Sequence, residues 1–392
     1  MYRICMISDS QDAFDDRIYW KQAVSLRKAG YQVTHIVIAK EESEFYTKEN
    51  IKIVKIKSVI YFKNRLLNLF FKIIFRNSNL NLLFKAAKNE KADVYHFHDL
   101  KINFIVRKLK KLPWNPKIIY DVHEPFPEDF FYRNSFPFIK GIFRKSVAEI
   151  IRNWELKKSK MCDYIIATEK NVADKFLSEL KKNNVGIIYN YTDLIEIKEI
   201  EKSEYDVIYC GGISEIRGVM NILSAINSLR NENVSVKTIF IGPISNSILK
   251  KKISDFIVNN QLSDLVEFKD PVPYTEVKEF YRKSKIGMIV FDDLPLHRII
   301  MPIKTFEYMG MGIPTICHNF GHSEKIIREN NAGIIVNPQS IKEIKQAIKQ
   351  LIKDEEFYKK LSINANKTAE KKYNWSLMEQ ELYSIYRNVI QQ

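Results

Sequence analysis

Two charged side chains interrupt an apolar segment in the second half of the chain. Residues 301–316 have the sequence MPIKTFEYMGMGIPTI, in which Lys304 and Glu307 are the only charged residues. The pattern predicts a buried helix with Pro302 at its first position, followed by a buried strand. Charged groups in such surroundings are costly unless they have a use, so the segment is a candidate binding site.

The predicted start of this helix suits an anion. Met301 has no side-chain oxygen to cap the free N–H groups, so a ligand held at Met301, Pro302, Ile303 and Lys304 would satisfy them. Glu307 shares a helix face with Lys304, and a carboxylate there suits two adjacent hydroxyls such as a ribose diol. The alternative is a surface ion pair between Lys304 and Glu307, worth about a few tenths of a kcal/mol.

A glycine pair follows the first predicted strand of the second half, in CGGISEIRG (210–218). Gly211 and Gly212 have no Cβ to keep a ligand away from the backbone. We expect a helix to begin near Ile216, where its free N–H groups could hold a phosphate and Arg217 would add positive charge. The alternative is an ordinary glycine turn beside a solvated arginine.

Histidines and acids end two predicted strands of the first half. His98 is followed by Asp99, and His123 by Glu124. Such residues could bind a metal, but they lie on separate strands without a close ligand repeat, so we expect no metal site. The sequence favours a histidine at a strand end that faces a substrate hydroxyl.

The elements that position these residues alternate between strands and helices. The alternation runs through residues 1–190, and it restarts after a charged segment at 191–205 that we interpret as a linker. Alternation of this kind predicts α/β domains with parallel sheets covered on both faces. We therefore predict two Rossmann-like, doubly wound domains whose strand ends face each other across a cleft.

Composition excludes several other classes of protein. With 392 residues and 45% hydrophobic content, the chain is long enough for two globular domains. The four cysteines are far apart, so we expect buried free thiols. The chain has no signal-peptide pattern and no run of about 18 uncharged apolar residues, which favours the cytoplasm.

The net charge of +15 is compatible with nucleic acid, an anionic membrane or a phosphorylated substrate as partner. Residues 61–88 and 136–145 interleave Phe, Leu and Ile with Lys and Arg, which suits the surface of an anionic membrane. The alternative is ordinary helices with one buried and one solvated face. No nucleic-acid-binding motif is recognisable, so we expect no nucleic-acid partner.

These motifs, in this order, resemble the group 1 glycosyltransferases, also called family 4, of the GT-B fold. The resemblance rests on VIYCGGISEIRGVMNILSAI, PIKTFEYMGMGIPTI, NNAGIIVNP, VYHFHDL with IIYDVHE, and the closing YNWSLMEQELYSIY. It implies an acceptor-binding domain at 1–195 and a domain at 196–374 that binds the nucleotide-sugar donor. It also implies that a helix at 375–392 crosses back onto the first domain.

The resemblance also implies roles for single residues. Arg217 would bind the donor diphosphate, Glu307 would hold the ribose as the second glutamate of the family's E-x7-E motif, and His123 would face the transferred sugar. We count these three as catalytic residues. Two positions depart from the family, because the first glutamate of the motif is replaced by Ile299 and a frequent arginine by Gly212.

Lys304 would supply part of the positive charge lost at Gly212, as in family members with P-x-K-x-x-E-Y. The implied activity is retaining, metal-independent transfer of a hexose-type sugar from a nucleotide diphosphate sugar, with no cofactor. A UDP-sugar is favoured and a GDP-sugar is the alternative. The acceptor would be a saccharide or a lipid-linked molecule in cell-surface polysaccharide or glycan biosynthesis.

Two other functions remain open at this point. A nucleotide-sugar epimerase of the same fold would bind the same diphosphate without transferring the sugar. A basic nucleic-acid-binding protein would explain the charge but not the two Rossmann-like halves. The preferred location is the cytoplasm, with peripheral contact at the inner face of the cell membrane.

Overall fold

The computed structural model describes residues 1–58, 76–98, 100–123, 126–132, 142–180, 184–193 and 203–391. It divides the chain into two compact units. The N-terminal unit comprises Met1–Asn190 with Met378–Gln392, and the C-terminal unit comprises Tyr191–Leu377. The sequence placed the corresponding boundaries after residues 195 and 374, and most of the predicted linker lies outside the described residues.

A mostly parallel sheet forms the centre of the N-terminal unit. Its strands are β1 (Arg3–Ser8), β2 (Gln32–Ala39), β3 (Ser43–Tyr46), β4 (Lys52–Lys57), β5 (Val94–His98), β6 (Lys117–Val122), β7 (Tyr164–Ala167) and β8 (Val185–Ile187). Their order across the sheet is β3-β4-β2-β1-β5-β6-β7-β8. Only the pair of β3 and β4 is antiparallel among these described neighbours, and that edge was not predicted.

Helices pack against this sheet. A π-helix (Asp16–Ala23) continues into α1 (Val24–Lys28), and a 3₁₀ turn (Leu100–Phe104) follows β5. The remaining α-helices of this part of the chain are α2 (Arg76–Glu90), α3 (Val106–Lys110), α4 (Phe126–Tyr132), α5 (Ile142–Ser159) and α6 (Lys170–Leu180).

The two central strands β5 and β6 are almost wholly buried, as expected for a parallel sheet covered on both faces. Yet they carry His96, His98 and Asp121, each with no exposed surface. Buried polar groups need hydrogen-bond partners, so a polar cluster must lie inside this unit.

The sheet of the C-terminal unit is parallel throughout its described strands. These are β9 (Tyr205–Cys210), β10 (Thr238–Ile241), β11 (Val266–Lys269), β12 (Ser284–Ile289), β13 (Thr315–His318) and β14 (Gly333–Val336). Their order is β11-β10-β9-β12-β13-β14. The chain builds outward from β9 in one direction and then from β12 in the other, so the topological switch point lies between β9 and β12.

The helices around this sheet complete a second doubly wound unit. They are α7 (Val219–Arg230), α8 (Ser247–Asn259), α9 (Tyr274–Arg282), α10 (Pro295–Ile299), α11 (Lys304–Gly310), α12 (Gly321–Glu329), α13 (Ile341–Lys353) and α14 (Glu355–Lys372). The two helix-covered sheets confirm the predicted α/β class with two Rossmann-like units.

The last helix, α15 (Trp375–Gln391), belongs to the N-terminal unit from Met378 onward. Its apolar face is buried. Tyr383 Oη donates a 3.0 Å hydrogen bond to the Ser25 carbonyl, and the Tyr386 hydroxyl lies 2.8 Å from His96 Nδ1.

All four cysteines are free, and three of them are buried, as predicted. Burial raises the pKa of the Cys5 and Cys317 thiols well above its usual range, so these thiols are not nucleophiles at neutral pH. Cys210 is only half-buried.

No helix of the described part of the chain is both long and apolar enough to span a membrane. Of the two basic amphipathic segments, 61–75 and 136–141 lie outside the described residues. The described remainder of the first segment lies in α2, whose Leu80, Leu83 and Ala87 pack into the core of the N-terminal unit. Those three residues fit the alternative of an ordinary helix with one buried face.

Candidate functional site

The glycine loop after β9 has a backbone that other residues could not easily adopt. Gly211 has φ +124° and Gly242, at the end of β10, has φ +137°. A Cβ at Gly242 would lie 2.2 Å from the Gly211 carbonyl oxygen, so the two loops touch through their backbones. The glycine pair is therefore fixed at the carboxyl end of β9, beside the switch point.

The helix predicted to begin near Ile216 begins three residues later. Glu215–Arg217 form one 3₁₀ turn, Gly218 has φ +81°, and α7 begins at Val219. Only glycine fits at position 218, because a Cβ there would lie 2.1 Å from the Val290 carbonyl oxygen. At this loop an anion would therefore meet the Arg217 side chain more than the N–H groups of a helix start.

Lys304 places a buried ammonium group against this loop. Its exposed fraction is 7%, and a Cβ at Gly211 would lie 3.1 Å from Nζ. Nζ lies 4.3 Å from the ring centre of Tyr209 and 5.1 Å from that of Phe291, within the range of cation–π attraction. Among the described residues no carboxylate pairs with Lys304 and no acceptor hydrogen-bonds its Nζ.

Arg217 lies on the other glycine of the pair. Its Nη1 donates a 3.2 Å hydrogen bond to the Gly212 carbonyl, and its guanidinium carbon lies 5.8 Å from the Phe291 ring centre. A Cβ at Gly212 would lie 2.9 Å from Nη1. Gly212 thus leaves room for the Arg217 guanidinium, which gives a physical reason for glycine where the family often has arginine.

Glu307 is held by a tyrosine, not by Lys304. The buried Tyr281 hydroxyl donates a 2.8 Å hydrogen bond to Glu307 Oε2, and no ion pair forms between Lys304 and Glu307 in the described structure. Burial and the Glu307 charge raise the pKa of the Cys210 thiol to about 11. Glu307 therefore contacts Tyr281 and Lys304 contacts the rings of Tyr209 and Phe291, which excludes the alternative of a surface ion pair between them.

Helix α11 begins later than predicted. It spans Lys304–Gly310, and Ile303 flanks it with helical φ −54° and ψ −37° and no side-chain cap. The Thr305 N–H already donates to the Pro302 carbonyl, and the N–H groups of Phe306 and Glu307 donate to the Ile303 carbonyl. Pro302 has no N–H, but the N–H groups of Ile303 and Lys304 have no acceptor among the described residues, so both are available to the predicted anion.

Aromatic and histidine side chains complete the site at the ends of β12 and β13. Phe291 lies beside Lys304 and Arg217, and its N–H donates to His318 Nδ1 at 3.3 Å. Burial lowers the pKa of His318 to about 4, so its ring is neutral. Sequence reasoning missed both residues, although Phe291 lies two residues beyond β12 and His318 ends β13, at the sheet edge where ligands bind.

The position of the missing glutamate, Ile299, lies in the short helix α10 and is partly buried. His297 of the same helix has Nδ1 2.8 Å from the Asp292 carbonyl oxygen. The carboxylate that the family motif would place at this helix is therefore absent.

The polar cluster of the N-terminal unit centres on Asp121. Arg17 binds it with two hydrogen bonds, Nε to Oδ2 at 3.0 Å and Nη2 to Oδ1 at 2.9 Å, and Gln22 Nε2 donates to Oδ2 at 2.7 Å. Burial opposes ionisation of Asp121, but the Arg17 guanidinium together with His123 and His98 outweighs it, and the pKa of that carboxyl lies well below its usual range.

The π-helix explains how Arg17 and Gln22 reach one carboxylate. Each turn of a π-helix places residues i and i+5 above each other. Arg17 and Gln22 are five apart, and so are Asp16 and Lys21, which pair at 2.8 Å. The two pairs lie next to each other on the π-helix, so its surface carries four polar side chains close together.

Three histidines surround Asp121. His98 Nδ1 lies 3.0 Å from His123 Nε2 and 3.4 Å from Asp121 Oδ2, while His96 Nε2 lies 3.8 Å from Asp121 Oδ2. The structure thus brings the predicted His98 and His123 together. Asp99 and Glu124 lie outside the described residues.

Sequence reasoning missed Asp121, Arg17 and Gln22. Arg17 lies 104 residues from Asp121 along the chain, so only the fold brings them together. The available signal was an aspartate inside a strand that is otherwise apolar.

His96, His98 and Asp121 have ligand-type atoms within 4.8 Å of one another, as a metal centre requires. The donor set does not suit a cation, because Arg17 already places a positive charge on both Asp121 oxygens. The cluster fits a hydrogen-bonded network better than a metal site.

Two Rossmann-like units, one with a cationic glycine loop at its switch point, define a protein of the GT-B class. The chain matches two family models, Glycosyltransferase Family 4 over residues 19–196 and Glycosyl transferases group 1 over residues 190–368. It belongs to the group 1 glycosyltransferases of family 4, as the motifs predicted.

Curated relatives match parts of the chain. An uncharacterized glycosyltransferase of Methanocaldococcus jannaschii is 26% identical over 58% of this chain and 60% of its own length. The capsular polysaccharide biosynthesis glycosyltransferase CapM of Staphylococcus aureus is 25% identical over 47% of this chain and 46% of its own. The chain therefore matches only about half of these relatives' lengths.

Solved structures share the fold over the whole chain. Sucrose-phosphate synthase from Thermosynechococcus elongatus has a TM-score of 0.72 at 14% identity, with 99% of both chains covered. Anabaena HepE, crystallised with UDP and glucose, has a TM-score of 0.67 at 12% identity, covering 99% of this chain and 100% of its own. At such identities the likeness shows the fold alone.

Proposed function

We propose that the protein is a retaining glycosyltransferase that moves a hexose-type sugar from a nucleoside diphosphate sugar to a saccharide or lipid-linked acceptor. The observation that carries this proposal is the buried ammonium of Lys304, which lies against Gly211 without a counter-ion among the described residues. A diphosphate would supply the missing negative charge. Arg217 would add a second cation, and Glu307 would hold the ribose hydroxyls.

The proposed mechanism needs no metal. Negative charge grows on the diphosphate as the glycosidic bond breaks, and Lys304 and Arg217 are fixed where they would stabilise it. The acceptor hydroxyl attacks the anomeric carbon from the face that the diphosphate leaves, and its proton passes to a phosphate oxygen of the leaving group. His123 contacts the transferred sugar. Trapping a covalent glycosyl-enzyme would contradict this mechanism.

UDP is the favoured nucleotide, and GDP is the alternative. HepE, which shares the fold, was crystallised with UDP and glucose, which supports UDP. CapM, a partial match in sequence, acts in capsular polysaccharide biosynthesis, which supports a cell-surface glycan as product. No cofactor is proposed, and activity should persist in the presence of a metal chelator.

We place the protein in the cytoplasm, with peripheral contact at the inner face of the cell membrane. The support is the basic amphipathic composition of residues 61–88 and 136–145. Flotation with liposomes containing anionic lipid tests this contact, and protein that stays in the soluble fraction at low salt contradicts it.

Thermal shift against nucleoside diphosphates and their sugars tests the function. A ligand at 100 times its dissociation constant adds about 2.7 kcal/mol, which is readily detected. We expect stabilisation by UDP and a UDP-sugar, and release of UDP when acceptor saccharides are added. Isomerisation of the sugar without transfer would favour the epimerase, and no response to any nucleotide would refute the proposal.

A further inference from the structure

The hydrogen-bonding pattern around His98 determines which of its ring nitrogens carries the proton. The His98 side chain is fully buried, and burial lowers its pKa well below the usual range, so the ring is neutral. Among the described residues Nε2 has no hydrogen-bond partner, whereas Nδ1 faces both Asp121 Oδ2 and His123 Nε2. A proton on Nε2 would leave a buried donor unused and turn a lone pair toward the carboxylate. The proton therefore lies on Nδ1.

The hydrogen bond with His98 also fixes the tautomer of His123. Its Nε2 lies 3.0 Å from His98 Nδ1, and two N–H groups cannot face each other at that distance. Since His98 Nδ1 is the donor, His123 Nε2 accepts, which places the His123 ring proton on Nδ1. The distance from His123 Nε2 to Asp121 Oδ2 is 3.6 Å, too long to offer a competing hydrogen bond.

His123 is the exposed end of this chain of groups. Its side chain is 15% exposed, while those of His98 and Asp121 have no exposed surface. Within the described structure His123 Nδ1 has no hydrogen-bond partner. Its N–H is therefore available to a ligand.

We propose that Asp121 and His98 are positioning residues that hold His123 with its proton on Nδ1, so that His123 donates a hydrogen bond to an oxygen of the bound sugar. The assignment of the ligand rests on the proposed function, whereas the position of the proton does not. Arg17 and Gln22 keep Asp121 ionised and fixed, because they occupy both of its oxygens with donors.

Nitrogen-15 NMR of the seven histidines tests the position of the proton, because protonated and unprotonated ring nitrogens have well-separated shifts. His123→Gln assigns the signals. We expect wild type to show the His123 proton on Nδ1. Asp121→Asn removes the negative charge that favours a proton on His98 Nδ1, so the fraction of His123 with its proton on Nδ1 should fall.

Variants of His98 keep the test valid if Asp121→Asn does not fold, because they leave the Arg17–Asp121 pair intact. His98→Asn retains an N–H donor near the position of Nδ1 and should preserve the His123 tautomer. His98→Leu removes the donor and should abolish that preference. Tyr386→Phe removes only the hydroxyl that contacts His96 and should leave His123 unchanged.

Turnover of the UDP-sugar provides the second readout. We expect His98→Leu to lower kcat by roughly ten- to a hundredfold, the effect of one lost hydrogen bond, with KM for the donor little changed and with recovery in His98→Asn. A proton on His123 Nε2 in wild type, or an unchanged tautomer in both Asp121→Asn and His98→Leu, would overturn the inference. Lack of turnover by wild type would instead refute the proposed function.

Discussion

The carboxylate of Glu307 accepts a hydrogen bond from the phenol of Tyr281, which holds one of its oxygens in place. Sequence alone located Glu307, because a single glutamate in an apolar helix stands out. It could not locate Tyr281, which is 26 residues away and looks like one more core aromatic. The environment of a candidate residue depends on contacts between distant parts of the chain, so sequence can predict the residue but not its partners.

Replacing Glu307 by Ala should weaken nucleotide binding. A hydrogen bond to a charged group contributes about 1.5–3 kcal/mol, so the dissociation constant for UDP should rise about tenfold or more. Isothermal titration calorimetry measures this change. Glu279→Ala, at an exposed position paired with Arg282, is the control and should bind normally. Unchanged affinity in Glu307→Ala would refute the ribose assignment.

Buried histidines should make the protein sensitive to acid. Burial lowers the pKa of His35 to about 4 and that of His96 to about 3, against about 6.5 in an unfolded chain. As the pH drops below 6.5, only the unfolded chain takes up these protons. The free energy of unfolding therefore decreases with decreasing pH, until the pH reaches the pKa values of the folded protein. Each histidine should lower the free energy of unfolding by about 1.5 kcal/mol between pH 6.5 and pH 5.

Urea unfolding followed by tryptophan fluorescence measures this effect. Three of the four tryptophans, Trp20, Trp114 and Trp154, lie in the N-terminal unit, which also holds both histidines. Equal unfolding free energies at pH 7 and pH 5 would contradict the prediction.

At the scale of elements, the parallel strands were predictable and the π-helix was not. Runs such as QVTHIVIA are apolar along their whole length, and this one forms β2. The segment DRIYWKQA has ordinary helical spacing but forms a π-helix, from which Arg17 and Gln22 both bond Asp121. Local pattern therefore predicts a helix here, but not its type.

Arg17→Met should destabilise the N-terminal unit strongly. It leaves Asp121 buried without its cation, and breaking a buried ion pair in this way costs about 3–5 kcal/mol. Chemical denaturation gives the loss. Lys28→Met, on the exposed end of α1, is the matched control and should change stability by less than about 0.5 kcal/mol. A loss in Arg17→Met no larger than in the control would exclude the pair as a structural element.

At the scale of the whole molecule, the restart of the strand–helix pattern near residue 205 predicted two α/β units. The same local rules apply to both halves, so the fold class follows from pattern alone. The N-terminal unit has a discontinuous chain, since residues from Met378 belong to it. Such a return could be inferred only from family resemblance, because helix periodicity does not say which core a helix packs on.

Ending the chain at Leu377 should therefore destabilise the N-terminal unit. It removes Leu382, Ile385, Tyr386 and Val389, all buried, and each such side chain contributes about 1.5–3 kcal/mol. The tryptophan-detected Tm should fall by many degrees. A chain lacking only Gln391 and Gln392 is the control. An unchanged Tm in the chain that ends at Leu377 would show that α15 does not stabilise this unit.

The proposed function depends most on Lys304, whose buried ammonium has no carboxylate partner among the described residues and should bind the donor diphosphate. Lys304→Met retains the apolar stem and removes only the charge, while Lys325→Met removes an exposed lysine of the same unit. Calorimetric titration with UDP should show at least about tenfold weaker binding for Lys304→Met, as expected for loss of one charged contact, and normal binding for Lys325→Met. Equal affinity in wild type and Lys304→Met would contradict the account.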